Sequence, residues 1–199
     1  MKDQWKEHWN DRYSKDEFIY GKESNKFFEE EVNKLNPGKI LMLGEGEGRN
    51  AVYAASLGWI VDAVDQSQTG KAKAMQLSSE RKIKINYYVE DLYSFTPKQN
   101  HYDAAAFIFL HLEESLRSLV FKKAIDSLKP GGKIIVYNFV IKSTITMAEI
   151  AASQPLLPAF VPARSKACSI VSDVITPKIT GNPVSKLTFA IPFDTSAAI

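Results

Sequence analysis

The sequence predicts an α/β fold built on a doubly wound, mostly parallel sheet. Three observations carry this. Short apolar runs alternate with helix-patterned segments, the signature of βαβ units joined by right-handed crossovers. The first apolar run ends in a cluster of three glycines. The pattern holds to about residue 139 and then stops, so the C-terminal strands are expected to be atypical or incomplete.

The elements follow in order. Residues 23–35 read as a helix, with Phe28, Val32 and Leu35 on one face and Asn36-Pro37-Gly38 as its stop. Residues 39–43, "KILML", form a continuous apolar run, as a strand buried on both faces does. After the glycines, Ala51, Ala54 and Ala55 share a helical face small enough to lie close to a sheet, and Gly58 ends that helix. Residues 59–65 are a second strand, 68–81 a lysine-rich helix and 83–91 a third strand. Residues 102–112 are a fourth strand and 113–128 a helix with Leu116, Val120, Ala124 and Leu128 inward. "KPGG" is a turn into a fifth strand, 133–139.

From Ile141 onward, 28 of 59 residues are Ser, Thr, Ala or Pro and 8 are charged. This stretch reads as foreign or frame-shifted, with room only for short strands such as "SKLTFAI". The single cysteine, Cys168, falls in it and reads as a small apolar filler.

Bulk properties narrow the function. The 199 residues fit one domain with a real core. A net charge of +2, carried on scattered lysines, argues against nucleic acid. One cysteine excludes an intrachain disulfide and a cysteine-built metal site. The charged start "MKDQWKEHWNDRY" is unlike a signal peptide, and no run approaches the roughly 20 apolar residues of a membrane span. The expectation is a cytoplasmic monomer or homodimer with no metal, no membrane and a small-molecule substrate.

Gly44, Gly46 and Gly48 suit a strand-to-helix loop whose bare backbone lets a ligand approach. Two ligands fit. "GEGRNA" satisfies G-x-G-x-x-A, which holds a pyrophosphate, and "GEGEG" satisfies G-x-G-x-G, the form used for S-adenosylmethionine. Asp65, ending the second strand, suits two ribose hydroxyls of either ligand. Glu90 and Asp91 discriminate: an acid after the third strand can accept from an adenine amino group, with Leu92 packed near the ring.

Together "WNDRYSKDEFIYGKESNKFF", "LMLGEGEGRNAVYAASLGW", "VDAVDQS", "VEDL", "YDAAAFIFLHL" and "SLKPGGKIIVYNF" resemble class I S-adenosylmethionine-dependent methyltransferases. The nearest resemblance is to the small bacterial tellurite-resistance and thiopurine-type group, over residues 1–139. It implies a Rossmann-like fold in one domain: residues 1–36 as helices covering the cofactor, 37–139 as its core and 140–199 as an atypical C-terminal segment. It implies S-adenosylmethionine as cofactor and S-adenosylhomocysteine as product. Gly44, Gly46 and Gly48 would approach the methionine part. Asp65, with Gln66 and Ser67 beside it, would hold the ribose, and Asp91 with Leu92 the adenine. Trp9, Arg12 and Tyr20 belong to the covering segment. The family's usual acid is replaced by Met42.

Glu45 or Glu47 is a candidate for the cofactor's amino group. Arg49 and Asn50 open the helix after the loop, where they either cap it or meet an anionic substrate. His111 is the candidate catalytic base facing the methyl group, against a packing role. The acceptor implied is a small molecule, a thiol or a chalcogen oxyanion among the options. The alternatives are an NAD(P)-binding oxidoreductase and a catalytically weak S-adenosylmethionine-binding protein.

Overall fold

The computed structural model describes residues 2–139 and 184–190. Cys168 and most of residues 140–199, with the expectations for them, lie outside the described residues. Eleven elements are described: α1 (Lys2–Tyr13), α2 (Lys26–Val32), β1 (Lys39–Leu43), α3 (Arg49–Ser56), β2 (Ile60–Asp65), α4 (Gln68–Glu80), β3 (Asn86–Val89), β4 (Tyr102–Ile108), α5 (Glu114–Ser127), β5 (Leu128–Phe139) and β6 (Val184–Ala190). The sheet order is β3-β2-β1-β4-β5-β6. The first five strands are parallel, and β6 runs antiparallel along β5 from Phe139↔Val184 to Lys133↔Ala190.

The two-residue period of β1 sorts its side chains onto both faces. Ile40 and Met42 join a cluster with Phe27, Phe28 and Val32 of α2, Ala51 and Val52 of α3 and Leu77 of α4. Leu41 and Leu43 join Val120 and Ala124 of α5 on the other face. All four β1 side chains are buried, which is why this strand reads as an unbroken apolar run. Each such fully buried side chain contributes roughly 1.5–3 kcal/mol of transfer free energy.

Several expectations are corrected. The helix expected at 23–35 is only Lys26–Val32, because Asn25 caps it, its side chain accepting from the Phe28 N–H at 3.2 Å. Strand and helix do not alternate throughout: no helix joins β3 to β4 across residues 90–101. β4 ends at Ile108 rather than 112. "KPGG" is not a free turn but an excursion within β5. Leu128 pairs with Tyr102 and Lys133 with Ala104, so the four residues between them bulge out, with Gly131 at φ 80°.

The amino ends of the strands are closed by a polar seam. Asp103 accepts from the Lys39 N–H at 2.8 Å and pairs with Lys129 at 2.8 Å. Asp62 accepts from the Tyr102 hydroxyl and from the Asn86 amide, each at 2.8 Å. The carboxyl ends hold the cavity.

Candidate active site

β1 runs into its loop through two tight tethers: the Gly44 and Glu45 N–H groups both donate to the Val64 carbonyl, at 2.8 and 3.3 Å. Asp65 then fixes the loop and its own turn together. One carboxylate oxygen accepts from the Gly46 N–H at 3.0 Å and the other from the Ser67 N–H at 2.9 Å. Asp65 is buried, and burial raises its pKa against those backbone donors. Tyr87 supports the loop from below, its hydroxyl donating to the Gly46 carbonyl.

Gly48, in the left-handed region at φ 84°, caps α3 without a side chain. Glu45 supplies the missing group: its carboxylate accepts from the Ala51 N–H at 2.7 Å. Met42, where the resemblance expects an acid, is fully buried in the core, and the loop carries a carboxylate three residues later. Burial pushes the Glu45 carboxyl up to about 8, against backbone donors and Arg49, which oppose the rise. The Asn50 side-chain oxygen accepts from the Asn25 N–H at 2.8 Å and the Ser24 hydroxyl at 3.3 Å, tying α3 to the start of α2.

The N-terminal segment is fastened over this edge. Asn10 accepts from the Ser67 hydroxyl at 2.8 Å, and its carbonyl accepts from the Thr69 hydroxyl at 2.9 Å. Glu47 accepts from the Tyr20 N–H and pairs with Lys73 at 2.9 Å, and Lys73 also donates to the Glu17 carbonyl at 2.6 Å. Arg49 donates to the Tyr20 carbonyl at 2.6 Å, and both Arg12 and Arg49 lie over the Tyr20 ring.

These elements enclose a cavity of about 620 Å³, within the range of small-molecule sites. It opens at the carboxyl edge of the sheet, beside the β1/β4 switch in strand order, where open α/β sheets bind ligands. Of the residues singled out in the sequence, Trp9, Tyr20, Gly44, Glu45, Asn50, Asp65, Gln66, Asp91, Leu92 and His111 line it. Arg12, Gly46, Gly48, Ser67 and Glu90 do not. Arg12 lies over Trp9 and Tyr20. A Cβ on Gly46 would meet the Tyr13 hydroxyl, and one on Gly48 would meet Ala74, so these two glycines make room for neighbouring protein. Ser67 is fully buried and caps α4 through Gly70. Glu90 is exposed.

Glu47 and Arg49, weighed above for other duties, also line the cavity. Sequence reasoning missed Trp5 and Tyr13, although residues 5, 9 and 13 fall at i, i+4 and i+8 and so share one helix face. It also missed the apolar wall of Phe109, Leu110, Leu112 and Leu116. Phe109 holds φ 56°, a conformation costly for a bulky residue, at the end of β4. Lys123 of α5 reaches under the β3–β4 loop and donates to the carbonyls of Leu92, Tyr93 and Phe95 at 3.4, 2.6 and 2.8 Å. Among the described residues no cluster of metal-ligating side chains occurs, and no helix is long and apolar enough to cross a membrane.

Residues 40–132 match the family model described as a methyltransferase domain. The stretch from β1 into β5 is thus similar to a methyltransferase domain. Among curated proteins it is 23% identical over 113 residues to a Haemophilus influenzae protein named "Probable S-adenosyl-L-methionine-dependent methyltransferase TehB". That match covers 56% of this chain and 38% of the relative, so the chain spans well under half of the relative's length. The PH0226 protein of Pyrococcus horikoshii OT3 superposes with a TM-score of 0.55 at 27% identity, covering 59% of this chain and 54% of that one. Phosphoethanolamine N-methyltransferase 1 of Haemonchus contortus, solved with phosphoethanolamine and S-adenosylhomocysteine, superposes with a TM-score of 0.60 over 84% of this chain and 36% of that one. At 14% identity that likeness bears on the fold alone.

Proposed function

We propose that the protein transfers a methyl group from S-adenosylmethionine to a small-molecule acceptor. The observation that carries this is Asp65. It is a buried carboxylate at the end of β2, braced by the Gly46 and Ser67 N–H groups and lining the same cavity as Gly44 and Asp91. Both of its oxygens keep lone pairs for a ribose diol, and Asp91 with Leu92 offers an acceptor and an apolar face to a purine. The methyltransferase domain match favours S-adenosylmethionine over NAD(P) at such a slot.

Bound there, S-adenosylmethionine supplies a methyl group already activated by its sulfonium. The chain's task is to align an acceptor and keep water out. Asp65 and Asp91 anchor the nucleoside. Glu47 puts a carboxylate, and Glu45 a carboxyl that keeps its proton at pH 7, beside the glycine loop, and both can accept from an amino group. Trp5, Trp9 and Tyr20 roof the cavity. His111 lines it at the end of the β4 loop. Burial holds its pKa below the usual histidine value, so it is neutral at pH 7 and able to take a proton from an acceptor. A thiol acceptor is compatible with this arrangement. A chalcogen oxyanion is the second option that the resemblance raises.

Calorimetric titration with S-adenosylmethionine, S-adenosylhomocysteine and NAD tests the reading. Binding of the first two and not the third is expected. Asp65→Ala should weaken binding about 10- to 100-fold, the weight of charge-assisted hydrogen bonds. NAD binding alone, or unchanged affinity in a folded Asp65→Ala variant, would overturn it. Tight binding without turnover on any acceptor would point to the catalytically weak alternative.

A further inference from the structure

The cavity wall divides by chemistry. Around the glycine loop it is polar, with carboxylates at Glu45, Glu47, Asp65 and Asp91. Beyond the end of β4 it is apolar: Phe109, Leu110, Leu112 and Leu116 on one side, and Trp5 and Trp9 contributed by α1. Leu110 marks the boundary, since its Cδ1 lies 2.5 Å from where a Gly44 Cβ would stand.

The ionisable groups of the cavity are mostly acids. Glu113 adds a fifth, at the start of α5, although Glu45 holds its proton at pH 7. Among the described lining residues the permanent cation is Arg49, and its guanidinium is committed to the Tyr20 and Glu23 carbonyls and to the Tyr20 ring. Lys73 is spent on Glu47. His111 stays neutral at pH 7, as argued above. An anionic acceptor would therefore meet acids and no unspent cation among the described lining residues, while an apolar one would bury its surface against aromatic and leucine side chains.

Resting on the methyltransferase reading, we propose that the acceptor presents its nucleophile on an uncharged, apolar body, aromatic or branched aliphatic. This class excludes inorganic oxyanions and carboxylate- or phosphate-bearing metabolites. Within the options that the resemblance raised, the cavity then favours a thiol on an apolar frame over a chalcogen oxyanion.

The test uses the full chain saturated with S-adenosylhomocysteine. Three probes are titrated by calorimetry: 2-naphthol, 2-naphthoate of the same ring size, and tellurite. The expected result is that 2-naphthol binds at least about tenfold tighter than either anion, the effect of one or two like charges at short range in a partly screened site. Leu116→Lys should reverse the preference between naphthol and naphthoate. Leu112→Lys serves the same purpose if the first variant does not fold. Equal or tighter binding of naphthoate or tellurite overturns the proposal, as does failure of all three to bind. Failure of S-adenosylhomocysteine itself to bind overturns the underlying functional reading instead, so the two failures are distinguishable.

Discussion

Gly48→Ala should damage folding more than ligand binding, although the sequence groups this glycine with its two neighbours as a single cradle. Gly48 adopts φ 84° at the start of α3, where an L side chain costs about 1–3 kcal/mol. Its Cβ would stand 2.4 Å from the Ala74 Cβ and 2.8 Å from the Ala74 Cα. The second atom is backbone, so α3 and α4 must part, at an overpacking cost of about 1–3 kcal/mol. A combined loss of about 3 kcal/mol corresponds to a fall of about 10 °C in Tm for a chain of this size. Differential scanning calorimetry reads it. Ala74→Gly in the Gly48→Ala background removes the contact with the Ala74 Cβ but neither the one with its Cα nor the backbone strain, so it should restore a part of the loss, less than half. A fall of less than about 2 °C, or no recovery in the double variant, would refute the packing role. Gly44→Ala is the contrast. At φ 69° it shares the backbone strain, but its Cβ meets only the Leu110 side chain, which is able to swing aside, so Tm should fall less than in Gly48→Ala and cofactor affinity should fall more.

Glu45→Gln should change how stability depends on pH. An acid whose pKa is about 8 folded and near 4.5 unfolded holds its proton more tightly when folded. The native state is therefore favoured most below about pH 4.5, loses ground as pH rises, and levels off above about 8. Melting temperatures across pH 4–9 should show a shallower decline in the variant, and not none, because Asp65 is shifted the same way. An unchanged slope would refute the assignment. Lys73→Met strands the Glu47 carboxylate, whose side chain is 2% exposed, and should cost about 3 kcal/mol, recovered in large part by adding Glu47→Gln, as chemical denaturation would show. Lys123→Met removes the ammonium beneath the β3–β4 loop. Hydrogen exchange at residues 91–95 should quicken and S-adenosylmethionine affinity should fall roughly fivefold, with Lys123→Arg retaining most of it.

What the sequence made legible follows from how local each cause is. "KILML" predicts β1 to the residue, because burial on both faces leaves no polar position after Lys39. Asp65 is found by its spacing from the glycines. The start of α2 is not legible because Asn25 acts through a single capping bond that periodicity does not register. Gly46 and Gly48 read as ligand-facing because a sequence shows where side chains are missing and not what fills the space: a tyrosine hydroxyl and an alanine from distant elements. Glu45 taking over the capping of α3, and Lys123 gathering three carbonyls, depend on contacts 6 and about 30 residues apart that no pattern in the text marks.

The seam of Asp103, Lys129, Asp62, Tyr102 and Asn86 gives the fold a division of labour. One end of the sheet is locked by bonds among residues that do not line the cavity, so the other is free to vary. Exchanging residues 109–116 for those of another chain should retune acceptor choice while the frame holds. A new catalyst could thus be reached by altering one stretch of eight residues, with the foundations left in place.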